Sequence, residues 1–442
     1  MDEKKILIIG YGKSGRAAAS AMTKLGWQVY VYDDFLKDLK LSYQDKGINF
    51  IYDSSQIFTE EFNLYVKSPG IKPNNPLIKS LKDQGKKIIS DIELGYLFKG
   101  PEKIIGVTGT NGKTTTTSFI DYFLKKTKIK TKAVGNIGYG AVEDMIFTDK
   151  DILTIECSSF QLEDIDTFKA NIAVITNVES DHLDYHGSLA AYIQAKVNIL
   201  KNLGQDDFAI LNFDDPILKK QDGNFKKIYF SSKTPLDSGF YCDGHLIYLI
   251  EDQKKKALIN CQELIVKGSH NYENLMAGLA VAYALGLDLD LVIEAAYSFT
   301  GVKHRLEFVR EYKGVAYYND SKATNSASTK KAVEAFSRPL ILLLGGYDKN
   351  EDFTELLKTI KDKIKVLIIY GQTKDKIFAI ASDLAYEKIF KVDNLEAALI
   401  KAYDLAEEND LVLLSPASAS WDQYKNFEDR GDEFINLVNK IK

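Results

Sequence analysis

The chain has 442 residues, of which 45% are hydrophobic, 27% are charged and 8 are prolines. This length exceeds one ordinary core and predicts two to four domains of ~100–200 residues, without long disordered linkers. The net charge of -5 argues against a protein that coats nucleic acid.

The sequence predicts neither a membrane span nor a secretion signal. The longest apolar runs, such as Leu340–Leu344, fall far short of the ~18 residues that a spanning helix needs. The N-terminus does not have the pattern of a signal peptide. The cysteines, Cys157, Cys242 and Cys261, are too scattered for a disulfide framework or a metal knuckle. We therefore expect a cytoplasmic protein with no membrane span and no nucleic-acid partner.

The first region alternates strand and helix patterns. A strand over Lys5–Ile9 leads into a glycine-rich turn, a helix follows over Ser14–Leu25, and a second strand over Gln28–Tyr32 ends at Asp33. This βαβ order predicts a parallel sheet with right-handed crossovers.

The turn Gly10-Tyr11-Gly12-Lys13-Ser14-Gly15 matches G-x-G-x-x-G between a strand and a helix. Such glycines let the backbone approach a diphosphate at the positive end of the helix. Asp33 lies where a dinucleotide enzyme would hold the ribose. Two interpretations stay open: a nucleotide or nucleotide-sugar site, or a tight turn that only needs glycine.

A second phosphate-binding pattern begins after a strand over Lys103–Val107. Gly106–Thr114 reads GVTGTNGKT, and it departs from the strict P-loop, which has glycine at the position of Val107. The chemically important part is present: backbone amides can hold phosphates, Lys113 can reach the β- and γ-phosphates, and the Thr114 hydroxyl can bind Mg²⁺. This pattern predicts an ATP or GTP site, with a helix from Lys113 to Lys126.

Further elements complete an α/β fold with three domains. Strands are predicted at Ile152–Ile155, Ile172–Thr176, Phe208–Asn212, Val315–Tyr318, Leu340–Leu344, Val366–Tyr370 and Leu411–Leu414. Helices are predicted at Leu189–Leu200, Ser326–Phe336 and Leu395–Glu407, and β-hairpins over Ser231–Lys267. We expect a Rossmann-like N-terminal domain over 1–94, a central P-loop ATPase-like parallel sheet with added β-hairpins over 95–301, and a C-terminal Rossmann-like α/β domain over 302–442.

An ordered series of motifs resembles the Mur ligase and folylpolyglutamate synthetase superfamily over essentially the whole chain. It starts with Gly109–Thr114. The others are Gly135-Asn136-Ile137-Gly138, Glu156–Leu162, Asp181-His182-Leu183-Asp184, Ala195-Lys196, His270–Asn274, His304–Glu307, Asn319–Asn325 and Ser415–Ser420. The last motifs most resemble the branch that adds D-glutamate to UDP-N-acetylmuramoyl-L-alanine in peptidoglycan synthesis.

This resemblance implies an ATP-dependent amide ligase. Such an enzyme phosphorylates a substrate carboxylate, and the amine then attacks the acyl phosphate, so the protein aligns groups and neutralises charge. The implied cofactors are ATP, two Mg²⁺ ions, and CO₂ held as a carbamate on Lys196. A carbamate needs a neutral amine, so the site must lower the pKa of this lysine by desolvation or nearby positive charge.

The resemblance also assigns roles to individual residues. The catalytic set is Lys113, Glu156, Asp181, His182 and Lys196, in which Asp181 would orient the amine or accept its proton. Mg²⁺ would be bound by Thr114, Glu156, His182 and Lys196, although imidazole is an uncommon Mg²⁺ ligand and the chemistry of His182 alone would not suggest it. We expect a monomer that acts on small molecules.

The substrate sets are larger. ATP would be held by Gly109, Thr110, Asn111, Gly112, Lys113, Thr114, Thr115, Asn271, Asn274, Arg305 and Asp320. The UDP-sugar substrate would be held by Gly12, Lys13, Ser14, Asp33, Ser68, Pro69, Gly70, Asn136, Ser158, Ser159 and Gln161. D-Glutamate would be held by Thr324, Lys349, Ser420 and Phe427, since a lysine and hydroxyl donors suit an anionic amino acid.

Other functions explain less of the sequence. Another amide ligase of the same superfamily is the nearest alternative, but the Asp-Asn-Pro-type motif expected for a diamino acid is missing. A Rossmann oxidoreductase would explain Gly10–Gly15 and leave Lys113, Glu156 and Lys196 without a role. A P-loop GTPase would leave the third α/β block unexplained.

Overall fold

The structure, a computed structural model, describes residues 4–35, 47–136, 141–349 and 351–441. The chain forms two compact units, Met1–Phe299 and Thr300–Lys442. The first unit contains a five-stranded and a nine-stranded sheet, and the second contains a six-stranded sheet. The predicted α/β class with parallel sheets is confirmed. The first two predicted domains lie within one compact unit, and their division at residue 94 stays a prediction.

The first sheet is entirely parallel, in the order β3-β2-β1-β4-β5. Its strands are β1 (Lys5–Ile9), β2 (Gln28–Tyr32), β3 (Ile48–Ile51), β4 (Leu64–Lys67) and β5 (Ile88–Ser90). Its helices are α1 (Lys13–Lys24), α2 (Pro76–Asp83) and α3 (Asp91–Phe98). The glycine-rich turn therefore joins β1 to α1 as predicted.

The second sheet has the order β14-β13-β12-β11-β10-β9-β6-β8-β7. Its strands are β6 (Lys103–Thr108), β7 (Thr131–Gly135), β8 (Ile152–Glu156), β9 (Ile172–Ile175), β10 (Phe208–Asn212), β11 (Lys226–Ser231), β12 (Gly239–Cys242), β13 (Leu246–Glu251) and β14 (Lys254–Asn260). Strands β12, β13 and β14 pair antiparallel, where hairpins were predicted, and they extend a sheet that is otherwise parallel.

The helices of this part are α4 (Lys113–Lys126), α5 (Ala141–Phe147), α6 (Ser159–Glu163), α7 (Leu183–His186), α8 (Leu189–Val197), α9 (Ser269–Ala284) and α10 (Leu289–Ser298). The predicted helix over Leu189–Leu200 is α8 followed by a 3₁₀ turn over Asn198–Leu200. Successive residues of β6 alternate between two hydrophobic cores, since Ile105 and Val107 belong to one and Ile104 to the other. Burial on both faces is typical of a parallel sheet.

The third sheet has the order β15-β16-β20-β17-β18-β19. Its strands are β15 (Glu307–Tyr312), β16 (Val315–Asn319), β17 (Leu340–Gly345), β18 (Ile364–Tyr370), β19 (Ile389–Lys391) and β20 (Leu411–Leu414). Its helices are α11 (Ser326–Glu334), α12 (Thr354–Ile360), α13 (Lys374–Asp383), α14 (Leu395–Leu405) and α15 (Phe427–Lys440). Among the described strands of this sheet, β15 alone pairs antiparallel, with β16.

Strands β8, β6 and β9 are neighbours in the central sheet, and their carboxyl ends lie at one edge. Ligands of parallel sheets bind outside this edge. Within the described ranges, we find no helix with the length and apolar character needed to cross a membrane.

Candidate active site

The phosphate loop between β6 and α4 requires two of its glycines. Gly109 has φ +147° and Gly112 has φ +81°, which favour glycine over any other residue. A Cβ at Gly109 would lie 1.9 Å from Thr176 Oγ1, and one at Gly112 would lie 2.2 Å from Asn274 Oδ1. Tight packing therefore holds the loop at the start of α4, where helix N-termini attract anions.

Lys113 bends back over this loop. Its Nζ donates hydrogen bonds to the carbonyl oxygens of Gly109 and Thr110, both at 2.8 Å. The predicted ligands Thr114 and Thr115 follow in the first turn of α4, and both are buried. The ammonium group is thus held over the loop, and its contact with the β- and γ-phosphates of a nucleotide stays a prediction.

Asn271 and Asn274 belong to α9, which packs against α4. Asn274 is buried and accepts a hydrogen bond from Thr116 Oγ1 at 3.2 Å. Asn271 is more exposed, and its Nδ2 donates to the carbonyl oxygen of Lys267. The position of Asn274 explains why Gly112 cannot be larger, whereas the adenine contacts of both residues stay predictions.

Glu156 ends β8 and is only 1% exposed. Its Oε1 accepts a hydrogen bond from Asn136 Nδ2 at 3.1 Å, while Oε2 is buried without a hydrogen-bond partner. A buried carboxylate oxygen with no donor is costly, and a bound cation would remove this cost. No group of three His, Cys, Asp or Glu residues suited to a metal occurs in the described chain. A cation here would therefore depend on Glu156, hydroxyl groups and substrate phosphates, as Mg²⁺ commonly does.

Lys196 lies in α8 and is 2% exposed. Its Nζ donates to the carbonyl oxygen of Gly109 at 2.6 Å and lies 4.8 Å from the centre of the Tyr192 ring. Burial, followed by the positive charge of Lys113, lowers the pKa of Lys196 to about 7. Near neutral pH, a large fraction of this amine is consequently uncharged, as carbamate formation requires.

His182 and Asp181 lie just before α7. His182 has φ +49°, and its backbone N–H donates to Asp181 Oδ1 at 2.8 Å. The two side chains are about half exposed, and His182 Nε2 lies 3.5 Å from Asp181 Oδ2. The His182 ring also lies 4.9 Å from the Phe160 ring. Both side chains are therefore accessible to a ligand.

A cleft of about 350 Å³ collects many of the predicted residues in the first compact unit. The predicted residues that line it are Lys13, Ser14, Pro69, Lys113, Asn136, Ser158, Ser159, Gln161, His182 and Lys196. Asp91 and Tyr192, which the sequence did not single out, also line it, as does Phe160, which was noted only as part of the motif Glu156–Leu162. The glycine-rich turn of the first sheet and the phosphate loop of the second thus face the same space. Ile137 and Gly138, which complete the motif of Asn136, lie outside the described residues.

Asp91 connects the two sides of the cleft. Its carboxylate accepts hydrogen bonds from Gln161 Nε2 at 3.1 and 3.2 Å and from the hydroxyl of Ser14. Gln161 Oε1 in turn accepts from the backbone N–H of Ser158, which fixes the orientation of the amide. Burial raises the pKa of Asp91 above its usual value. No local pattern marks this residue, because its partners are distant in sequence.

The remaining predicted residues of the first sheet hold the glycine-rich turn. Asp33 Oδ2 accepts from the backbone N–H of Tyr11 at 2.7 Å, and Ser68 Oγ donates to the Gly10 carbonyl at 2.8 Å. A Cβ at Gly15 would lie 2.0 Å from the Gly10 oxygen, so the turn itself requires this glycine. In contrast, Cβ atoms at Gly12 and Gly70 would meet nothing within 4 Å. The space beside Gly12 and Gly70 is consistent with ligand binding, which stays a prediction.

In the second compact unit, Asp320 is buried and directly follows β16. Its Oδ2 accepts from Ser415 Oγ at 2.7 Å and its Oδ1 from the backbone N–H of Leu306 at 3.2 Å. Burial raises the pKa of Asp320 to about 7, against the opposing effects of these bonds and of two arginines. Arg305 is exposed near this carboxylate, whereas His304 is buried and bonded to Asn319 Nδ2 at 2.9 Å. These contacts favour a packing role for His304.

The predicted D-glutamate residues lie on separate segments of this unit. Lys349 is exposed, with its Nζ 4.3 Å from the centre of the Trp421 ring. Ser420 is buried, and its Oγ has no hydrogen-bond partner. Phe427 is the first residue of α15, and Thr324 precedes α11. Trp421 was not predicted, because a single exposed tryptophan carries no motif.

Comparisons with known proteins match both compact units. The chain matches the Mur ligase middle domain over residues 107–282 and the Mur ligase, glutamate ligase domain over residues 304–418. The UDP-N-acetylmuramoylalanine--D-glutamate ligase of Clostridioides difficile (strain 630) is 39% identical over 450 residues, covering 99% of both chains. The protein of the same name from Geobacillus kaustophilus (strain HTA426) is 41% identical over 451 residues, covering 99% of this chain and 98% of that one.

Solved structures share the fold at lower identity. The UDP-N-acetylmuramate-alanine ligase from Thermotoga maritima has a TM-score of 0.58 at 19% identity, and the match covers 99% of this chain and 100% of that one. At this identity the likeness concerns the arrangement of the chain and not its substrates.

Proposed function

This chain belongs to the Mur ligase family, and we propose that it is an ATP-dependent ligase that joins D-glutamate to UDP-N-acetylmuramoyl-L-alanine in peptidoglycan precursor synthesis. The observation that carries this proposal is the shared cleft, in which Lys113, Lys196 and His182 face the side chains of Lys13 and Ser159. A nucleoside triphosphate and the L-alanyl end of a nucleotide sugar could therefore meet in this cleft.

In the proposed reaction, the carboxylate of the L-alanyl group attacks the γ-phosphorus of ATP, and ADP leaves. The amine of D-glutamate then attacks the acyl carbon, loses a proton, and expels phosphate from a tetrahedral intermediate. No protein nucleophile takes part. The residues of the cleft hold the reactants and neutralise their charges, which is the main contribution of proteins to phosphoryl transfer.

The phosphate loop and Lys113 would bind the β- and γ-phosphates. Lys113 already lies over the loop carbonyls, so it could exchange these neutral acceptors for charged phosphate oxygens, which form stronger hydrogen bonds. Asn136 and Glu156, joined by a hydrogen bond, would lie beside the attacking carboxylate. Asp181 would orient the incoming amine or accept its proton.

We further propose that the site binds two Mg²⁺ ions and that Lys196 carries a carbamate. Thr114, Glu156, His182 and the modified Lys196 would supply the ligands. The unpartnered Glu156 Oε2 supports the first ion. The buried amine with a pKa near 7 supports the modification, in which the neutral amine adds CO₂ and releases one proton. Bound Mg²⁺ would supply positive charge against the repulsion between a carboxylate and a phosphate.

Residues of the second unit would serve D-glutamate and part of ATP. Lys349 and the hydroxyls of Thr324 and Ser420 suit an amino acid with two carboxylates. Arg305 and Asp320 are proposed for ATP. We also propose a cytoplasmic location and a monomeric state. All three cysteines, Cys157, Cys242 and Cys261, are buried and form no disulfide, which agrees with a cytoplasmic location.

A phosphate-release assay tests the function. Release should require ATP, UDP-N-acetylmuramoyl-L-alanine and D-glutamate together, and a panel of amino acids in place of D-glutamate identifies the acceptor. Activity with L-glutamate or a diamino acid, and none with D-glutamate, would refute the substrate assignment. Nucleotide-dependent hydride transfer without phosphate release would favour the oxidoreductase alternative.

A further inference from the structure

Arg430 is fully buried in α15, in the second compact unit. Its guanidinium donates through Nε to Ser321 Oγ at 3.0 Å, and through Nη2 to the carbonyl oxygens of Ser321 at 2.9 Å and Ser418 at 3.0 Å. The chain contains few arginines among many lysines. A planar group with several fixed donors can join separate loops, which a lysine cannot do equally well.

Each segment that Arg430 contacts leads to a residue proposed for D-glutamate. Ser321 lies three residues before Thr324, and Ser418 lies two residues before Ser420. A Cβ at Gly346, three residues before Lys349, would lie 3.1 Å from Arg430 Nη1. Phe427 lies one turn before Arg430 on the same helix, and its carbonyl oxygen accepts from Ser321 Oγ at 2.8 Å. One side chain therefore fixes the relative positions of these segments.

The charge of Arg430 is not balanced by a direct ion pair. In the described part of the chain, no carboxylate lies within ion-pair distance of its guanidinium. Nη1 makes no hydrogen bond of ordinary geometry, and the buried hydroxyl of Tyr370 is the neutral group that interacts with this guanidinium. The Oγ atoms of Ser418 and Ser420 are likewise buried without partners. Burial of a cation without a paired carboxylate is unfavourable. The buried Asp320 lies close enough for Arg430 to oppose the rise in its pKa, and a bound anion nearby would stabilise the guanidinium further.

We propose that Arg430 is a positioning and specificity-determining residue for the amino-acid substrate: it holds the segments of Thr324, Lys349, Ser420 and Phe427 together, and its positive charge, which no carboxylate of the described residues pairs directly, favours a substrate with a second carboxylate. This inference rests on the proposed function, because it concerns the D-glutamate site. Arg430 acts through the loops and through its field, and it need not touch the reacting atoms.

The test compares Arg430→Met, which removes the charge, with Arg430→Lys, which retains it. The KM for D-glutamate is measured beside the inhibition constant of D-glutamine, a neutral amide of the same shape. Arg430→Met should raise the KM for D-glutamate about tenfold or more and shift the D-glutamine constant much less, so that the preference for the anion falls about tenfold. Arg430→Lys should preserve most of this preference, with a moderately raised KM.

Arg338→Met is the matched control, because Arg338 belongs to the same unit and pairs with Glu311 at 3.1 Å, apart from the segments held by Arg430. It should leave both constants unchanged. Equal shifts of the two constants in Arg430→Met would overturn the charge-based role. If circular dichroism shows that Arg430→Met does not fold, the test depends on Arg430→Lys. Loss of the preference for D-glutamate over D-glutamine in Arg430→Lys would contradict the proposal. A wild-type enzyme that is active but does not use D-glutamate would instead refute the proposed function.

Discussion

The amine of Lys196 lies 2.6 Å from the carbonyl oxygen of Gly109, so a buried lysine in α8 is hydrogen-bonded directly to the phosphate loop. The neighbouring Lys113 donates to the same oxygen at 2.8 Å. Two ammonium groups that share one acceptor repel each other, which disfavours the charged form of the more buried lysine. Modification of Lys196 to an anion would replace this repulsion with attraction to Lys113.

Lys196→Ala should therefore lose nearly all ligase activity. Acetate or formate should restore part of it, because a small carboxylate can occupy the space left by the side chain. Phosphate release with and without added acetate measures both effects. Lys125→Ala, at a surface lysine paired with Asp121, is the control and should behave as wild type. Full activity of Lys196→Ala without acetate would contradict the carbamate.

The pH dependence of wild-type activity follows from the pKa of the Lys196 amine, which is lowered to about 7. Below it the amine is protonated and cannot add CO₂, whereas above it the neutral fraction grows. At a fixed CO₂ concentration, activity should rise from roughly pH 6 to pH 8, and stripping CO₂ should reduce activity most at the acidic end. A profile that is insensitive to CO₂ at every pH would count against the modification.

Lys113→Ala should lower turnover by a factor of about 10² or more, because it removes a preorganised positive charge from the proposed phosphate position. It also removes two hydrogen bonds within the loop, so the melting temperature must be measured beside phosphate release. Lys126→Ala, at the exposed end of the same helix, serves as the control. Turnover close to wild type would refute the phosphate-loop assignment.

Asp91→Asn should make stability less dependent on pH. Burial raises the pKa of Asp91 in the folded protein, so the folded state holds this proton more strongly than the unfolded chain does. Its contribution to stability is present below the unfolded value of about 3.9 and is lost as the pH rises through the folded pKa. The melting temperature of Asp91→Asn relative to wild type should therefore increase as the pH rises from this value. A constant difference would indicate that Asp91 is ionised as easily as in the unfolded chain.

Local patterns predicted much of the fold and of the phosphate site. The loop before Lys113 was recognisable because its glycines, lysine and threonine are adjacent in sequence, and the structure explains those glycines through contacts with Thr176 and Asn274. The strands with continuous apolar runs were recognisable for the same reason. Strand β11 was not predicted. It begins with two exposed lysines, Lys226 and Lys227, so its apolar run is too short to be recognised as a strand.

Residues whose function depends on tertiary packing could not be predicted in this way. Asp91 reaches Gln161 across 70 positions of sequence, and Arg430 reaches Ser321 across 109. Neither lies in a pattern that differs from an ordinary helix. Tyr192 is similar, because its contact with Thr110 at 2.9 Å exists only after α8 has packed beside the phosphate loop.

Lys349 is the residue that we propose as a carboxylate partner of D-glutamate. Lys349→Ala should raise the KM for D-glutamate far more than the KM for ATP, because only the former loses a charged partner. The Nζ lies 4.3 Å from the centre of the exposed Trp421 ring, and such an exposed contact contributes about 0.5–1 kcal/mol. Trp421→Ala should therefore raise the KM for D-glutamate by roughly two- to fivefold, while Trp421→Phe should retain most of the affinity. Lys374→Ala, at a lysine paired with Asp393, is the control for removing a surface charge. If Lys349→Ala raised the two KM values equally, the lysine would serve a general role in the second unit and not the recognition of D-glutamate.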